Sequence, residues 1–142
     1  MKAIVVDGQG GGMGKAIAAQ LRKRFPALRI VAVGTNSIAT SAMMKAGADV
    51  GATGENAVIY HCTRAEKEDY ILGAQGICLA NAMLGEISPA MAAAVADSRA
   101  QKLLLPITSC GVRVLGVAEK PLAEYLAEMA EFIGAAQCEN QG

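Results

Sequence analysis

The sequence is poor in aromatic residues and in net charge. It has no tryptophan, and aromatic residues make up only 4% of the chain. Its 13 basic and 13 acidic residues balance to a formal net charge of zero. A chain without a basic field or aromatic residues interleaved with basic ones has nothing that favours nucleic acid or anionic lipid. We therefore expect no nucleic-acid partner and no membrane partner.

Long apolar runs and metal-binding patterns are also missing. The first apolar run meets Asp7 too early for a signal peptide, and no run is long enough to span a bilayer. With a single histidine, His61, and no C-x-x-C pair, we expect no metal site. We interpret the widely spaced cysteines as reduced, buried thiols, which is typical of a cytoplasmic protein: Cys62, Cys78, Cys110 and Cys138.

Apolar residues, by contrast, are abundant. They make up 53% of 142 residues, and the mean hydropathy is +0.32. This length fits a single domain over residues 1–142. An apolar excess is typical of a sheet covered on both faces and of a surface that meets a partner. At zero net charge it predicts a homo-oligomer, most simply a homodimer.

Segments with strand and helix signals alternate along the chain. Short runs of apolar, often β-branched residues predict strands at 2–6, 29–33, 69–72, 102–107 and 112–117. Helical spacing and capping signals predict helices after the first glycines, from about Ala16 to residue 24, at 37–46, 55–64 and about 88–99, and from Pro121 onward. Thr53 is the predicted N-cap of the third helix, and 77–84 is interpreted as a helix with a strand as the alternative.

This alternation predicts a three-layer, Rossmann-like α/β sandwich with a mainly parallel five-stranded sheet and the first strand at its centre. The fifth predicted strand follows the fourth too closely for a helical crossover, so we expect it to be antiparallel or only a strand end. Ligands of such folds bind outside the carboxyl ends of the strands. We therefore expect Asp7–Gly14, Gly34–Ser37 and Gly73–Gly76 around one crevice.

A glycine-rich loop lies between the first predicted strand and the first predicted helix. Glycines at such a junction let phosphate oxygens reach the N–H groups of the helix N-terminus, and they adopt the positive φ of tight turns. The loop therefore predicts binding of the phosphates of a nucleotide by Gly8, Gln9, Gly10, Gly11, Gly12, Met13 and Gly14. Another phosphorylated small molecule, or a glycine turn with a purely structural role, are the alternatives.

The spacing of Gly8, Gly12 and Gly14 resembles the cofactor loop of the short-chain dehydrogenases, in which an apolar residue separates the last two glycines. The resemblance covers about the first 20 residues and implies an NAD(P)-type dinucleotide. Asp7 stands where that family usually has threonine, and the Tyr-x-x-x-Lys catalytic pair is missing. The resemblance therefore extends to the binding loop and not to the chemistry, and the catalytic residues stay unknown.

A P-loop is the rival interpretation of Gly14-Lys15. The P-loop pattern requires glycine at the position of Gln9 and serine or threonine at the position of Ala16, and both requirements fail. The deviant P-loop of the ParA/MinD-type ATPases aligns with Gly11–Lys15 but has its signature lysine where Gly10 stands.

The end of the second strand sets the cofactor preference of Rossmann proteins. An acidic residue about 20 positions beyond the glycines binds the ribose 2′-hydroxyl of NAD. Thr35, Asn36 and Ser37 offer only neutral hydrogen-bonding groups, which tolerate a 2′-phosphate. The sequence therefore favours NADP over NAD. Capping of the next helix by Asn36 or Ser37 explains these residues equally well.

Over most of its length, to about Val117, the chain resembles a family of short bacterial proteins classed only as a conserved domain of unknown function. The resemblance lies in residues 7–12, 34–36, 51–56 and 80–87. It implies no reaction, but it implies that the second glycine loop, Gly51–Asn56, and the Asn81–Glu86 stretch act together with the first loop. Taken alone, the second loop is also explained by helix capping and an acidic first turn.

We therefore predict a nucleotide-binding sensor or binding module whose cofactor is NADP or NAD. A small oxidoreductase-like enzyme acting with the bound nucleotide is the alternative. In such an enzyme the candidate group would be a thiol, or the carboxylate of Glu86 if the crevice reaches it.

Overall fold

The structure is a computed structural model that describes residues 1–107 and 111–141. Its strands are β1 (Lys2–Asp7), β2 (Arg29–Gly34), β3 (Val50–Thr53), β4 (Tyr70–Ala74) and β5 (Gln101–Leu105). Its helices are α1 (Gly12–Arg24), α2 (Ser37–Ala46), α3 (Glu55–Arg64), α4 (Pro89–Asp97) and α5 (Leu122–Gln141), with a short 3-10 helix at Gln75–Cys78. None of the helices in these residues is long and apolar enough to cross a membrane.

The strands form one parallel sheet in the order β3-β2-β1-β4-β5. β1 lies in the middle, with Ile4 opposite Val31 of β2 and Ile71 of β4. It is buried from Ala3 to Asp7, which suits an apolar strand covered on both faces. The α/β class, the parallel five-stranded sheet and the central position of the first strand are confirmed.

Helices cover both faces of the sheet. On one face α3 and α4 pack against β1, with Cys62 and Val95 fully buried beside Ile4. On the other face α1, α2 and α5 pack against the alternate side chains of the same strand, with Ile17 and Ile133 fully buried. The two layers explain the high apolar content, because a sheet covered twice needs apolar residues on successive positions.

The order of the strands places the topological switch point, where folds of this kind form their ligand crevice, between β1 and β4. From β1 the chain moves outward through β2 and β3, and then returns to the other side of β1 as β4. The loops after β1 and β4 therefore leave the sheet in opposite directions at its carboxyl edge, which is where folds of this kind bind ligands. The loop after β2 lies beside the loop after β1, because the N–H of Thr35 donates to the carbonyl of Asp7 at 2.9 Å.

The fifth strand is not the one that the sequence predicts. Val112–Val117 is exposed and contains no strand, because Gly116 within it and Gly111 before it adopt positive φ and break the extended backbone. The strand that the sequence pattern does not predict is β3, because Gly51 is typical of a glycine loop. A Cβ on Gly51 would lie 2.8 Å from Cγ2 of Thr40, so this glycine lets α2 approach the strand closely. The expected antiparallel fifth strand is therefore wrong.

Two smaller predictions are also wrong. Residues 77–84 do not form a helix: after the 3-10 helix the chain turns, with Asn81, Met83 and Leu84 at positive φ. Thr53 is not the N-cap of α3, because it ends β3 and its hydroxyl contacts that of Thr40 at 2.8 Å. The N-cap position belongs to Gly54, which makes no side-chain cap.

Candidate functional site

The glycine loop makes a tight turn from β1 into α1. The N–H of Gly11 donates to the carbonyl of Gly8 at 2.9 Å, and the carbonyl of Gly11 accepts the N–H of Lys15 at 2.8 Å. Gly11 has φ +76°, a left-handed conformation that glycine adopts without a steric penalty. The turn aims the N-terminus of α1 at the crevice.

Asp7 closes the base of this loop. One of its carboxylate oxygens accepts the N–H of Gly8 at 2.8 Å, and the other accepts the N–H of Gly14 at 2.6 Å. The side chain is buried, and burial raises the pKa of its carboxyl group, although the two backbone hydrogen bonds oppose this rise. Asp7 therefore serves as an internal cap of α1, and the N–H of Gly14 is not free for a ligand.

Glu86 connects the glycine loop to the residues after β2, and the sequence indicates this role only weakly. Its Oε1 accepts three hydrogen bonds: from the N–H of Gln9 at 2.9 Å, the hydroxyl of Thr35 at 2.7 Å and Nδ2 of Asn36 at 2.9 Å. The hydrogen bond from Thr35 is the main cause that lowers the pKa of Glu86, and the bonds from Gln9 and Asn36 add to it. Glu86 is thus an ionised carboxylate at neutral pH.

Of the three polar residues after β2, the structure brings two to the glycine loop. Asn36 caps α2 by accepting the N–H of Ala39 at 2.9 Å, and its Nδ2 also donates to the carbonyl of Gln9 at 3.0 Å. Thr35 reaches the loop through Glu86 and through the backbone of Asp7. Ser37 is the exposed first residue of α2 and lines a shallow groove beside Lys15.

Each glycine of the loop meets different surroundings. A Cβ on Gly8 would lie 2.7 Å from Oγ1 of Thr35, and a Cβ on Gly14 would lie 2.5 Å from Sδ of Met43. A Cβ on Gly11 would lie 2.7 Å from the backbone of α2. The fold therefore requires glycine at positions 8, 11 and 14.

Gly10 and Gly12 are different. A Cβ on either residue would meet no atom within 4 Å, and neither has the positive φ that favours glycine. Within residues 1–107 and 111–141, the backbone N–H groups of Gly10, Gly12 and Met13 have no hydrogen-bond partner. The open space over these two glycines lies at the positive end of α1, where free N–H groups favour anions.

The segment that carries Glu86 is a strained turn fixed at both ends. Asn81 donates to the carbonyl of Ile87 at 2.7 Å, and Ile87 donates to the carbonyl of Ala82 at 3.1 Å. Ala82 and Ile87 are buried in the core, whereas Leu84 is 97% exposed at φ +56°. Positive φ at non-glycine residues costs free energy and is concentrated at functional sites. The resemblance to a family of unknown function, which includes this stretch, was the only sequence signal for it.

The second glycine loop is joined by hydrogen bonding to the end of β2. The N–H of Gly54 donates to the carbonyl of Gly34 at 2.8 Å, and Glu55 begins α3 in a favourable position for an acidic residue. Within the described part of the chain, no hydrogen bond joins this loop to the first glycine loop.

Among the thiols that the structure describes, Cys62 is held in an unreactive state. Burial raises the pKa of Cys62 to about 11, so this thiol is protonated at neutral pH. Cys78 is half-buried and Cys138 is exposed, so the expectation of buried thiols fails for Cys138, while Cys110 lies outside the described residues. In the same residues, no group of three or more His, Cys, Asp or Glu side chains is arranged to hold a metal ion.

A cavity of about 620 Å³ lies on the β5 side of the sheet. Its walls include Gln75, the end of β5 and apolar side chains of α5 such as Met129 and Phe132. The Oε1 atom of Gln75 is buried and has no hydrogen-bond partner among the described residues. Since Gln75 directly follows β4, the cavity begins at the same carboxyl edge of the sheet as the glycine loop.

No curated protein and no solved structure matches this chain with significant similarity. Residues 2–137 match a family model described as "Domain of unknown function (DUF3842)". Because this match covers nearly the whole chain and agrees with the resemblance found in the sequence, the protein belongs to the DUF3842 family.

Proposed function

We propose that this protein binds a nucleotide at the carboxyl edge of its sheet, with the phosphates on the N-terminus of α1. The N–H groups of Gly10, Gly12 and Met13 are the donors, since those of Gly8, Gln9 and Gly14 already donate to Asp7 and Glu86. The ligand class is an NAD(P)-type dinucleotide, and the role is that of a sensor or binding module.

The unexplained glycines are the observation that carries this proposal. Gly10 and Gly12 have room for a side chain and no unusual φ, so the fold by itself does not need glycine there. A ligand that approaches the backbone closely does need it, because a Cβ would occupy the same space. The remaining glycines of the loop supply the turn and the helix packing that dinucleotide-binding loops also require.

The cavity beside Gln75 favours a dinucleotide over a mononucleotide. It lies on the β4 side of the switch point, whereas Thr35 and Asn36 lie on the β2 side, and a dinucleotide binds across the switch point of such a sheet with one half on each side. Its apolar walls suit a planar base, and the orphaned Oε1 of Gln75 is an acceptor for a ligand N–H group.

The protonation and hydrogen bonding of the candidate catalytic side chains, Glu86 and Cys62, favour a binding role over catalysis. Glu86, the carboxylate nearest to the loop, has a lowered pKa and already accepts three hydrogen bonds, which makes it a poor general base. The thiol of Cys62 is buried and protonated. An oxidoreductase-like activity would therefore depend on chemistry brought by the nucleotide itself.

Calorimetric titration of the purified protein with NAD, NADP, ATP and GTP, with and without magnesium, tests the proposal. We expect saturable binding of a dinucleotide that needs no magnesium, because the donors are backbone N–H groups. Gly12→Val should abolish this binding while the far-ultraviolet circular dichroism spectrum is retained. Failure of all four ligands with the folded protein, or unchanged binding by Gly12→Val, would overturn the proposal.

A further inference from the structure

Glu86 places a carboxylate at the end of β2. The residues that follow this strand in the sequence, Thr35, Asn36 and Ser37, include no acidic residue. The side chain comes from the turn between β4 and α4, yet Oε1 lies 2.7 Å from Oγ1 of Thr35 and 2.9 Å from Nδ2 of Asn36. These two residues directly follow β2. The carboxylate therefore occupies the place where Rossmann proteins hold the acidic residue that binds a ribose.

The two oxygens of this carboxylate are in different states. Oε1 is held by three donors, one from the glycine loop and two from the residues after β2. Oε2 has no hydrogen-bond partner within residues 1–107 and 111–141, and the side chain is only half-buried. One oxygen thus fixes the orientation of the group, and the lone pairs of the other are available to a hydroxyl donor.

This arrangement bears on which nucleotide the site takes. A ribose with free 2′- and 3′-hydroxyls supplies donors to a carboxylate oxygen. A 2′-phosphate supplies none when it is ionised, and its negative charge is repelled by the carboxylate. The neutral residues after β2, which by themselves tolerate a 2′-phosphate, already donate to Glu86.

We infer that Glu86 is a specificity-determining residue that selects nucleotides with an unmodified adenosine ribose, such as NAD, and rejects those with a 2′-phosphate, such as NADP. This inference rests on the proposed function, since it names which member of the ligand class binds. The position of Glu86 is well fixed, because the neighbouring Ile87 is fully buried and the turn is closed by backbone hydrogen bonds.

The test compares the dissociation constants of NAD and NADP for the wild type, Glu86→Gln and the matched control Glu131→Gln. The control removes the same single charge from an exposed position on α5. We expect the wild type and Glu131→Gln to bind NAD more tightly than NADP by about tenfold or more. Glu86→Gln retains an acceptor oxygen for the three donors. It should lower the ratio of the NADP dissociation constant to the NAD dissociation constant by a factor of about ten, mainly because NADP binds more tightly.

The outcomes separate the two proposals. Equal affinity of the wild type for NAD and NADP, or tighter binding of NADP, overturns the role of Glu86 and leaves nucleotide binding standing. The same rise in affinity for both ligands in Glu86→Gln also overturns it, because the carboxylate would then only repel phosphate in general. Binding of neither NAD nor NADP overturns the role of Glu86 and the assignment of the ligand to the dinucleotides, and the titrations with ATP and GTP then decide whether nucleotide binding itself stands. If Glu86→Gln does not fold, the ratio of the NADP and NAD dissociation constants of the wild type decides whether Glu86 keeps the proposed role.

Discussion

Gly12 and Gly14 lie two residues apart, yet substitution by alanine should change the stability in opposite directions. A Cβ on Gly14 would lie 2.5 Å from Sδ of Met43 and 2.8 Å from Cβ of Asp7, whereas a Cβ on Gly12 would meet nothing within 4 Å. Overpacking costs about 1–3 kcal/mol, and replacing glycine by alanine in a helix returns about 0.5–1 kcal/mol. Gly14→Ala should therefore lose up to about 2.5 kcal/mol, and Gly12→Ala should gain up to about 1 kcal/mol.

Urea unfolding followed by circular dichroism measures both changes. Gly134→Ala is the matched control, because Gly134 lies in helix α5 and a Cβ on it would lie 3.8 Å from the nearest atoms of Phe25, an ordinary contact distance. It should gain the same fraction of a kcal/mol as Gly12→Ala and leave ligand affinity unchanged, whereas Gly12→Ala should weaken binding. At about 4 °C per kcal/mol for a domain of this size, the thermal midpoints of Gly12→Ala and Gly14→Ala should differ visibly. Equal stability of these two variants, or full ligand affinity in Gly12→Ala, would refute the reasoning.

Three further expectations follow from the structure. Asp7→Asn should lower the free energy of unfolding by about 1–3 kcal/mol in urea titration, because an amide NH₂ would face the N–H of Gly8 or Gly14, and unchanged stability would contradict its capping role. Iodoacetamide at neutral pH should alkylate the exposed Cys138 and spare the buried Cys62 until the protein is unfolded, as measured by mass spectrometry of the peptides. Labelling of Cys62 in the folded protein would contradict its burial. Light scattering at micromolar concentration should give twice 14.6 kDa, since Leu115 is 86% exposed in an apolar stretch, and the mass of one chain would refute the homodimer.

The sequence was sufficient for the class of fold because the relevant signals are local. The apolar run before Asp7, the basic last turn of α1 and the Ser88-Pro89 start of α4 each specify their own element. It was insufficient where tertiary packing decides. Gly51 weakens the strand signal of β3 but permits the close approach of α2, and the apolar run at 112–117 is preceded by Gly111 and interrupted by Gly116, both at positive φ.

The candidate site was predictable in part for the same reason. Gly8–Gly14 and the residues after β2 could be placed at one edge from the rule for parallel strands, and the structure brings Thr35 and Asn36 to the loop. Glu86 could not be placed. Its contact with Gln9 spans 77 positions of the chain, and it depends on a turn whose backbone the sequence does not reveal.

The position of β1 has a consequence for how the protein assembles. During synthesis β1, β2 and β3 emerge before β4, so we expect these three of the five strands to pair with one another first. We expect β4 and β5 to dock afterwards on the free side of β1, which brings Glu86 to Gln9 and Thr35. The crevice would then lie where two units of folding meet, one with β1, β2 and β3 and the other with β4 and β5. A molecule bound across it would stabilise their association by mass action, and we expect ligand to slow the detachment of β4 and β5 from the N-terminal half.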